Sequence, residues 1–271
     1  KSRNKGDTFF KDTRRAVRYL IDSVGNKPLV EYERADASTL RTVLTDKGLA
    51  GSSIVRIFST VKAIFSFVAV EKGLEAVNPF AGIYLDRQKD VSRRNPIPGK
   101  DIKNVVSKCL EIDDDLRCLV ALISDTGMRL AEAAGLAQED IVINDTTIPH
   151  IKLKPHSWRR LKTLSSERVI PLVGSSLWAA KRIKMNGHST YAFPRYVRNN
   201  TCLTNSASAS LNKWLKSYVP SGCSLHSFRH SLRDRLREVG CPSEIIDQIG
   251  GWTMQSVGQK YGEGYSLKEM H

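Results

Sequence analysis

In Leu225-His226-Ser227-Phe228-Arg229-His230 a histidine and an arginine stand three residues apart, a spacing that on a helix sets both on one face, within reach of a shared target. The chemistry suits a phosphate. Arginine offers a fixed fork of donors matched to phosphoryl oxygens, and histidine donates a hydrogen bond or moves a proton near neutral pH. The same pair also describes a solvated or ion-paired helix face, so its meaning depends on partners elsewhere in the chain. Thr126-Gly127-Met128-Arg129-Leu130-Ala131-Glu132 repeats the three-residue spacing; its carboxylate either fixes the guanidinium or forms an ordinary surface pair. Lys162-Thr163 falls between two strand-like segments, where an ammonium reaches into a groove or stays on a solvated edge. Lys152 and Lys154 compete for that role. Beyond Gly250-Gly251 come Trp252, Tyr261 and Tyr265, an indole donor followed by two phenolic hydroxyls.

These residues need a scaffold, and the hydrophobic periodicity supplies one. Residues 8–24, 37–47 and 52–73 read as helices, the second closed by Gly48 and the third started by Ser52 or Ser53 and ended at Gly73. Asn78-Pro79-Phe80 breaks the pattern, and residues 86–98, polar, basic and interrupted by Pro96 and Pro98, read as a linker. Asp101 then caps a helix, an apolar stretch runs from Leu116 to Ile123, and a turn leads into Arg129. Strands are expected at 140–143, 147–154 and 168–172, and helices at 175–186, 204–218, 226–239 and 243–249. The chain is therefore mainly α with a small antiparallel β-sheet, an α+β protein, divided as 1–85, 86–98 and 99–271.

Lys and Arg total 42 against 28 Asp and Glu, a formal charge of +14 spread through much of the sequence. Nucleic acid is the leading partner class. Arg56 and Lys62 on the third helix, Arg87, Arg93 and Arg94 in the linker, and Arg159 and Arg160 beside Lys162 are the candidate phosphate contacts. Five scattered cysteines, odd in number and without a Cys-x-x-Cys pair, support neither a disulfide framework nor a zinc site. No metal ligands and no cofactor are assigned. Asp113-Asp114-Asp115 either serves a metal-dependent nuclease or caps a helix start. Trp158 stacks on a base or fills the core. No apolar run approaches the ~20 residues a bilayer span demands, and nothing resembles a signal peptide, so the cytoplasm is the expected compartment.

Taken in order, Thr126-Gly127-Met128-Arg129-Leu130-Ala131-Glu132, Lys162-Thr163 before a strand, His226-Ser227-Phe228-Arg229-His230, Gly251-Trp252, and Tyr261 nine positions after Trp252 resemble the tyrosine recombinase family, the phage and prophage integrases. The likeness covers residues 96–262 closely and the helical N-terminal part more loosely. It implies a helical core-DNA-binding domain, a basic interdomain linker, and an integrase-type catalytic domain with a short C-terminal tail. It further implies that Tyr261 attacks one strand of double-stranded DNA, leaving a 3′-phosphotyrosine and a free 5′-hydroxyl. Arg129 and Arg229 would hold the charge of the pentacoordinate phosphorus, in place of the metal ions of other phosphoryl-transfer sites. His226 would accept the tyrosine proton and Lys162 would protonate the leaving 5′-oxygen. Glu132 and His230 would support them.

The commonest family pattern has histidine where Trp252 stands. An indole only donates, which limits Trp252 to positioning and charge stabilisation. Tyr265 is the competing nucleophile. The implied partners are core recombination sites, a homo-tetramer on paired sites, and accessory DNA-bending or excision factors, in a bacterial host at the nucleoid. In the family a small arm-site-binding domain often precedes the helical one. A type IB topoisomerase and a non-catalytic DNA-binding relative are the alternative readings.

Overall fold

The computed structural model describes residues 7–75, 77–90, 95–144, 146–187, 189–252 and 264–271. The chain divides into two compact units, Lys1–Ser92 and Arg93–His271.

In the first unit, α1 (Asp7–Val24), α2 (Arg34–Asp46) and α3 (Gly51–Glu71) pack around Leu20, Leu40, Leu44, Ile54, Phe58, Val61 and Phe65. The break at Asn78-Pro79-Phe80 does more than stop a helix. Asn78 donates from Nδ2 to the Lys62 carbonyl and Ser66 Oγ, both at 2.9 Å, and the buried Phe80 ring closes the unit against Phe58 and Phe65. One correction concerns α3. At 21 residues it is long and apolar enough, by length and composition, to cross a membrane, although scattered polar residues hid this in the sequence. Here its buried side chains form the centre of the first unit.

The expected linker is not loose where it leaves this unit. Gly51 N–H donates to the Lys89 carbonyl at 2.8 Å, and the carbonyl of Asp86 lies against the start of α3. Its far end belongs to the second unit, where Ile97 is buried and exchanges hydrogen bonds with Ser231 Oγ at 2.7 and 3.1 Å.

The second unit is built on α5 (Asp115–Thr126), whose residues Cys118 to Ser124 are all essentially buried. A helix apolar on every side must be covered on every side, and α4 (Gly99–Ile112), α7 (Gly174–Met185) and α9 (Ser227–Glu238) do so. Between them run α6 (Leu130–Ala134) and an antiparallel sheet in the order β1 (Ile141–Val142), β2 (His150–Leu153), β3 (Arg168–Pro171). The register pairs Ile151 with Ile170 and Leu153 with Arg168. A second hairpin, β4 (Val197–Arg198) and β5 (Thr201–Cys202), was not foreseen. Its strands are too short to show periodicity, and its turn rests on Asn199 and Asn200 at φ 47° and 54°, a left-handed pair that asparagine tolerates. The unit is completed by α8 (Thr204–Leu215), α10 (Ser243–Gly250) and α11 (Leu267–Met270).

Candidate active site

Arg129 is delivered by the end of α5. The helix stops at Gly127, whose φ of 58° is left-handed and favours glycine; a Cβ there would also lie 2.7 Å from Leu232 Cδ2. Glu132 then turns back on the start of α6. It accepts from the Arg129 backbone N–H at 2.9 Å and from Arg129 Nη1 at 2.6 Å, and Arg129 Nη1 also reaches Ser166 Oγ at 3.0 Å. This pair is no loose surface contact, because Glu132 is buried. Burial pushes its carboxyl up, but the charge of Arg168 and the bonds from Arg129 outweigh that, and the net position is below the usual carboxylate range.

Arg229 approaches from α9. It is 4 % exposed, and its Nη1 donates to the Gly127 carbonyl at 2.7 Å, which ties α9 to the turn that carries Arg129. Its Nη2 is buried without a hydrogen-bond partner among the described residues. Burial first, then the charges of Arg129 and Arg168, push the guanidinium down to about 9. It stays charged at neutral pH, with an unused donor and too little counter-charge. That is the electrostatic state of an anion site.

Trp252 lies half-buried beside the same guanidinium, with Arg229 Cζ 4.3 Å and Arg233 Cζ 4.8 Å from its ring centroid. A cation over an indole face is held by the ring quadrupole. The Trp252 backbone N–H donates to the Asp247 carbonyl at 3.0 Å, and Asp247 pairs with Arg233 at 3.0 Å, so the turn after α10 is fastened to α9. His226 and His230 are exposed at the start of α9, their rings edge to face at 5.4 Å. Lys162 is exposed on the loop before β3. Of its competitors, Lys152 points outward from β2 and Lys154 pairs with Glu139 at 2.9 Å.

The structure thus brings Arg129, Glu132, Arg229 and Trp252 together. Tyr261, Arg93 and Arg94 lie outside the described residues. Tyr265 is held through its backbone by the Gln248 side chain at 2.8 and 2.9 Å, with its ring packed on the core. Arg56, Lys62, Arg87 and Arg160 are exposed.

Arg159 is a correction. Expected on a DNA-facing surface, it is 2 % exposed and spends its donors inside, on the carbonyls of Glu132 and Lys154 and on Asp140. Asp140, also buried, takes His156 Nε2 at 2.8 Å. Glu139, Asp140 and His156 carry ligand-type atoms within 4.8 Å of one another, but Asp140 already answers a buried arginine and a histidine, which makes it a structural brace. Trp158 stacks on His156 at 4.5 Å and donates to the Gly135 carbonyl at 2.9 Å, a packing position. Asp114 caps α5 by accepting from Arg117 N–H, and Asp113 and Asp115 pair with Arg182, so the acidic run is used in helix ends.

The residue that sequence reasoning missed is Arg168. Its side chain is nearly inaccessible at the head of β3, with Nη2 on Glu132 Oε2 at 3.1 Å. In the sequence it only opens the expected strand 168–172, after Glu167. The only available signal was an arginine in register with core positions of a short strand.

Comparison with known proteins agrees with this architecture. Residues 97–265 match the model of the phage integrase family. The fold is similar to that of the Tn1549 transposon integrase in complex with a circular intermediate DNA, at 18% identity and a TM-score of 0.70, over 92% of this chain and 87% of that one. It is similar to a lambda integrase tetramer bound to a Holliday junction, at 14% identity and TM-score 0.70, over 94% and 72% of the two chains. A lambda integrase dimer bound to a COC′ core site is also similar, at 13% identity and TM-score 0.68, over 94% and 88%. A search of curated proteins by sequence finds no match. With the family match extending over most of the chain and enclosing the whole arginine cluster, the chain belongs to the phage integrase family.

Proposed function

We propose that this chain is a site-specific DNA recombinase of a phage or other mobile element, acting in the cytoplasm of a bacterial host through a 3′-phosphotyrosine. The observation that carries the reading is the imbalance at the cluster. Arg129, Arg168 and Arg229 act electrostatically on one another with Glu132 as the shared carboxylate, and among the described residues a buried donor of Arg229 has no partner. A scissile phosphodiester supplies the missing negative charge, and more of it as phosphorus becomes pentacoordinate.

In this reading the Tyr261 oxygen forms a bond to phosphorus as the bond to the 5′-oxygen breaks. Arg129 and Arg229 hold the non-bridging oxygens, Trp252 donates its indole N–H, and His226 takes the phenol proton. Lys162 gives a proton to the departing 5′-oxygen. Because Lys162 is exposed, its loop moves inward when DNA binds, which couples binding to cleavage. The first unit and the basic residues Arg56, Lys62 and Arg87, with Arg93, Arg94 and Arg160, hold the duplex through its backbone. Strand exchange requires paired sites, and a tetramer with accessory DNA-bending or excision factors is the working assembly; solved relatives include a lambda integrase tetramer bound to a Holliday junction.

The test is a nicked suicide duplex, chosen from a randomised pool by binding to the chain, incubated in EDTA and run on a denaturing gel. A covalent complex is expected from the native chain and none from Tyr261→Phe. An adduct that survives Tyr261→Phe moves the nucleophile to Tyr265, and no adduct from the native chain on a verified site removes the recombinase reading.

A further inference from the structure

We infer that Arg168 is a positioning residue of this site, a buried guanidinium whose donors clamp together the segments that carry Arg129, Lys162 and Trp252. Its Nη2 donates to Glu132 Oε2 at 3.1 Å, the carboxylate that holds Arg129. Its Nη1 donates to the Ser166 carbonyl at 2.7 Å, at the close of the loop bearing Lys162. Its Nε donates to the Ile249 carbonyl at 2.7 Å, in the last turn of α10 before Trp252. Gly251 makes the approach possible. At φ +61°, a Cβ there would lie 2.9 Å from Arg168 Nη1 and 2.8 Å from the Ser165 carbonyl, so any side chain would push the Trp252 turn off the clamp.

Packing alone does not ask for this residue. Arg168 sits opposite Leu153 in the sheet register, and a buried charge at such a position is costlier than an apolar side chain of similar volume. A guanidinium spans several acceptors at fixed angles, which a lysine ammonium on a flexible stem does not. With Arg168 in place both Glu132 oxygens are committed, one to Arg129 Nη1 and the other shared by Arg129 N–H and Arg168. Without it the carboxylate is free to turn, and Arg129 loses its brace. The assignment rests on the recombinase reading, since a clamp of this kind matters only if the three segments meet one phosphate.

The test uses the full chain and the same nicked duplex selected from a randomised pool. Single-turnover adduct formation, duplex affinity and Tm are measured for Arg168→Gln, Arg168→Lys and Arg168→Ala, the last with and without millimolar guanidinium ion. Duplex affinity is expected within about threefold of native, with adduct formation about 100-fold slower in the Gln and Lys variants. Free guanidinium is expected to restore about tenfold to Arg168→Ala, and Arg129→Lys to cost less on the Arg168→Gln background than on the native one. Adduct rates within about threefold of native overturn the clamp while leaving the recombinase reading standing. A loss that follows Tm alone, without guanidinium rescue and with full additivity, overturns it too, by making Arg168 merely structural. A native chain that forms no adduct overturns the reading and the clamp together.

Discussion

The Arg229 guanidinium lies over the Trp252 indole, 4.3 Å from Cζ to the ring centroid, and this contact joins the first turn of α9 to the turn that follows α10. It gives the tryptophan two separable properties, a ring that stacks and an N–H that donates. Trp252→Phe keeps the first and loses the second. Duplex affinity and Tm close to native are expected for Phe, with adduct formation slower by about tenfold; for Ala, Tm falls as well, since such a contact contributes about 0.5–2 kcal/mol. A single-turnover time course on a denaturing gel checks both. Equal rates for Phe, Ala and native chain would remove Trp252 from the site.

Arg229 should cost the fold stability at neutral pH. Its pKa in the folded chain, about 9, lies below the ordinary 12.5, so the unfolded chain binds the proton more tightly. The destabilisation is then fully present below about 9 and is relieved as pH rises through that value. Arg229→Met is expected to raise Tm by a few degrees, on the order of 1 kcal/mol, while abolishing adduct formation. Inorganic sulfate should raise the Tm of the native chain by more than that of the variant, which shows only the general stabilisation by this salt. Calorimetry with a sulfate series decides this; a Met variant of lower Tm would show that the bond to Gly127 outweighs the charge.

Glu132 has the opposite sign. A carboxyl held below its ordinary 4.5 contributes stability that is present above that value and lost as pH falls through the lower folded value. Glu132→Gln breaks a buried pair and should cost about 3–5 kcal/mol at neutral pH, the gap to native narrowing as pH falls below about 4.5. Urea titrations across this range measure it, and a gap that stays constant with pH would contradict the assignment.

Arg159 and the basic residues of α3 separate structure from binding. Arg159→Ala, leaving Asp140 buried with one partner fewer, should lower stability by about 2–4 kcal/mol and leave the salt dependence of duplex affinity unchanged. Arg56→Ala and Lys62→Ala should each reduce the slope of log affinity against log salt by about one and keep Tm within about a degree. Affinity at several salt concentrations distinguishes the two classes.

Much of the scaffold was legible because its signals are local. The Gly127 stop before Arg129, the periodicity of α9 and the Gly250-Gly251 end of α10 can each be read from a handful of adjacent residues. What stayed hidden depends on distant partners. Arg159 and Arg160 are neighbours of the same type, yet one is buried and the other exposed, and the acceptors that hold Arg159, among them Asp140 and the Glu132 carbonyl, are 19 and 27 positions away. Arg168 read only as the first residue of a strand because its partners, Glu132 and the Ile249 carbonyl, are 36 and 81 positions away. Phe80 read as a helix breaker's neighbour because the rings that receive it belong to other elements.

The bonds from Arg229 to Gly127 and from Arg168 to Ile249 span 102 and 81 positions. Loop closures of that length form late in folding, after local helices are in place. A chain in which these contacts have not closed therefore carries its arginines without bringing Arg229 to the Gly127 turn. In the proposed reading, the capacity to break a host chromosome therefore arises only with the finished fold.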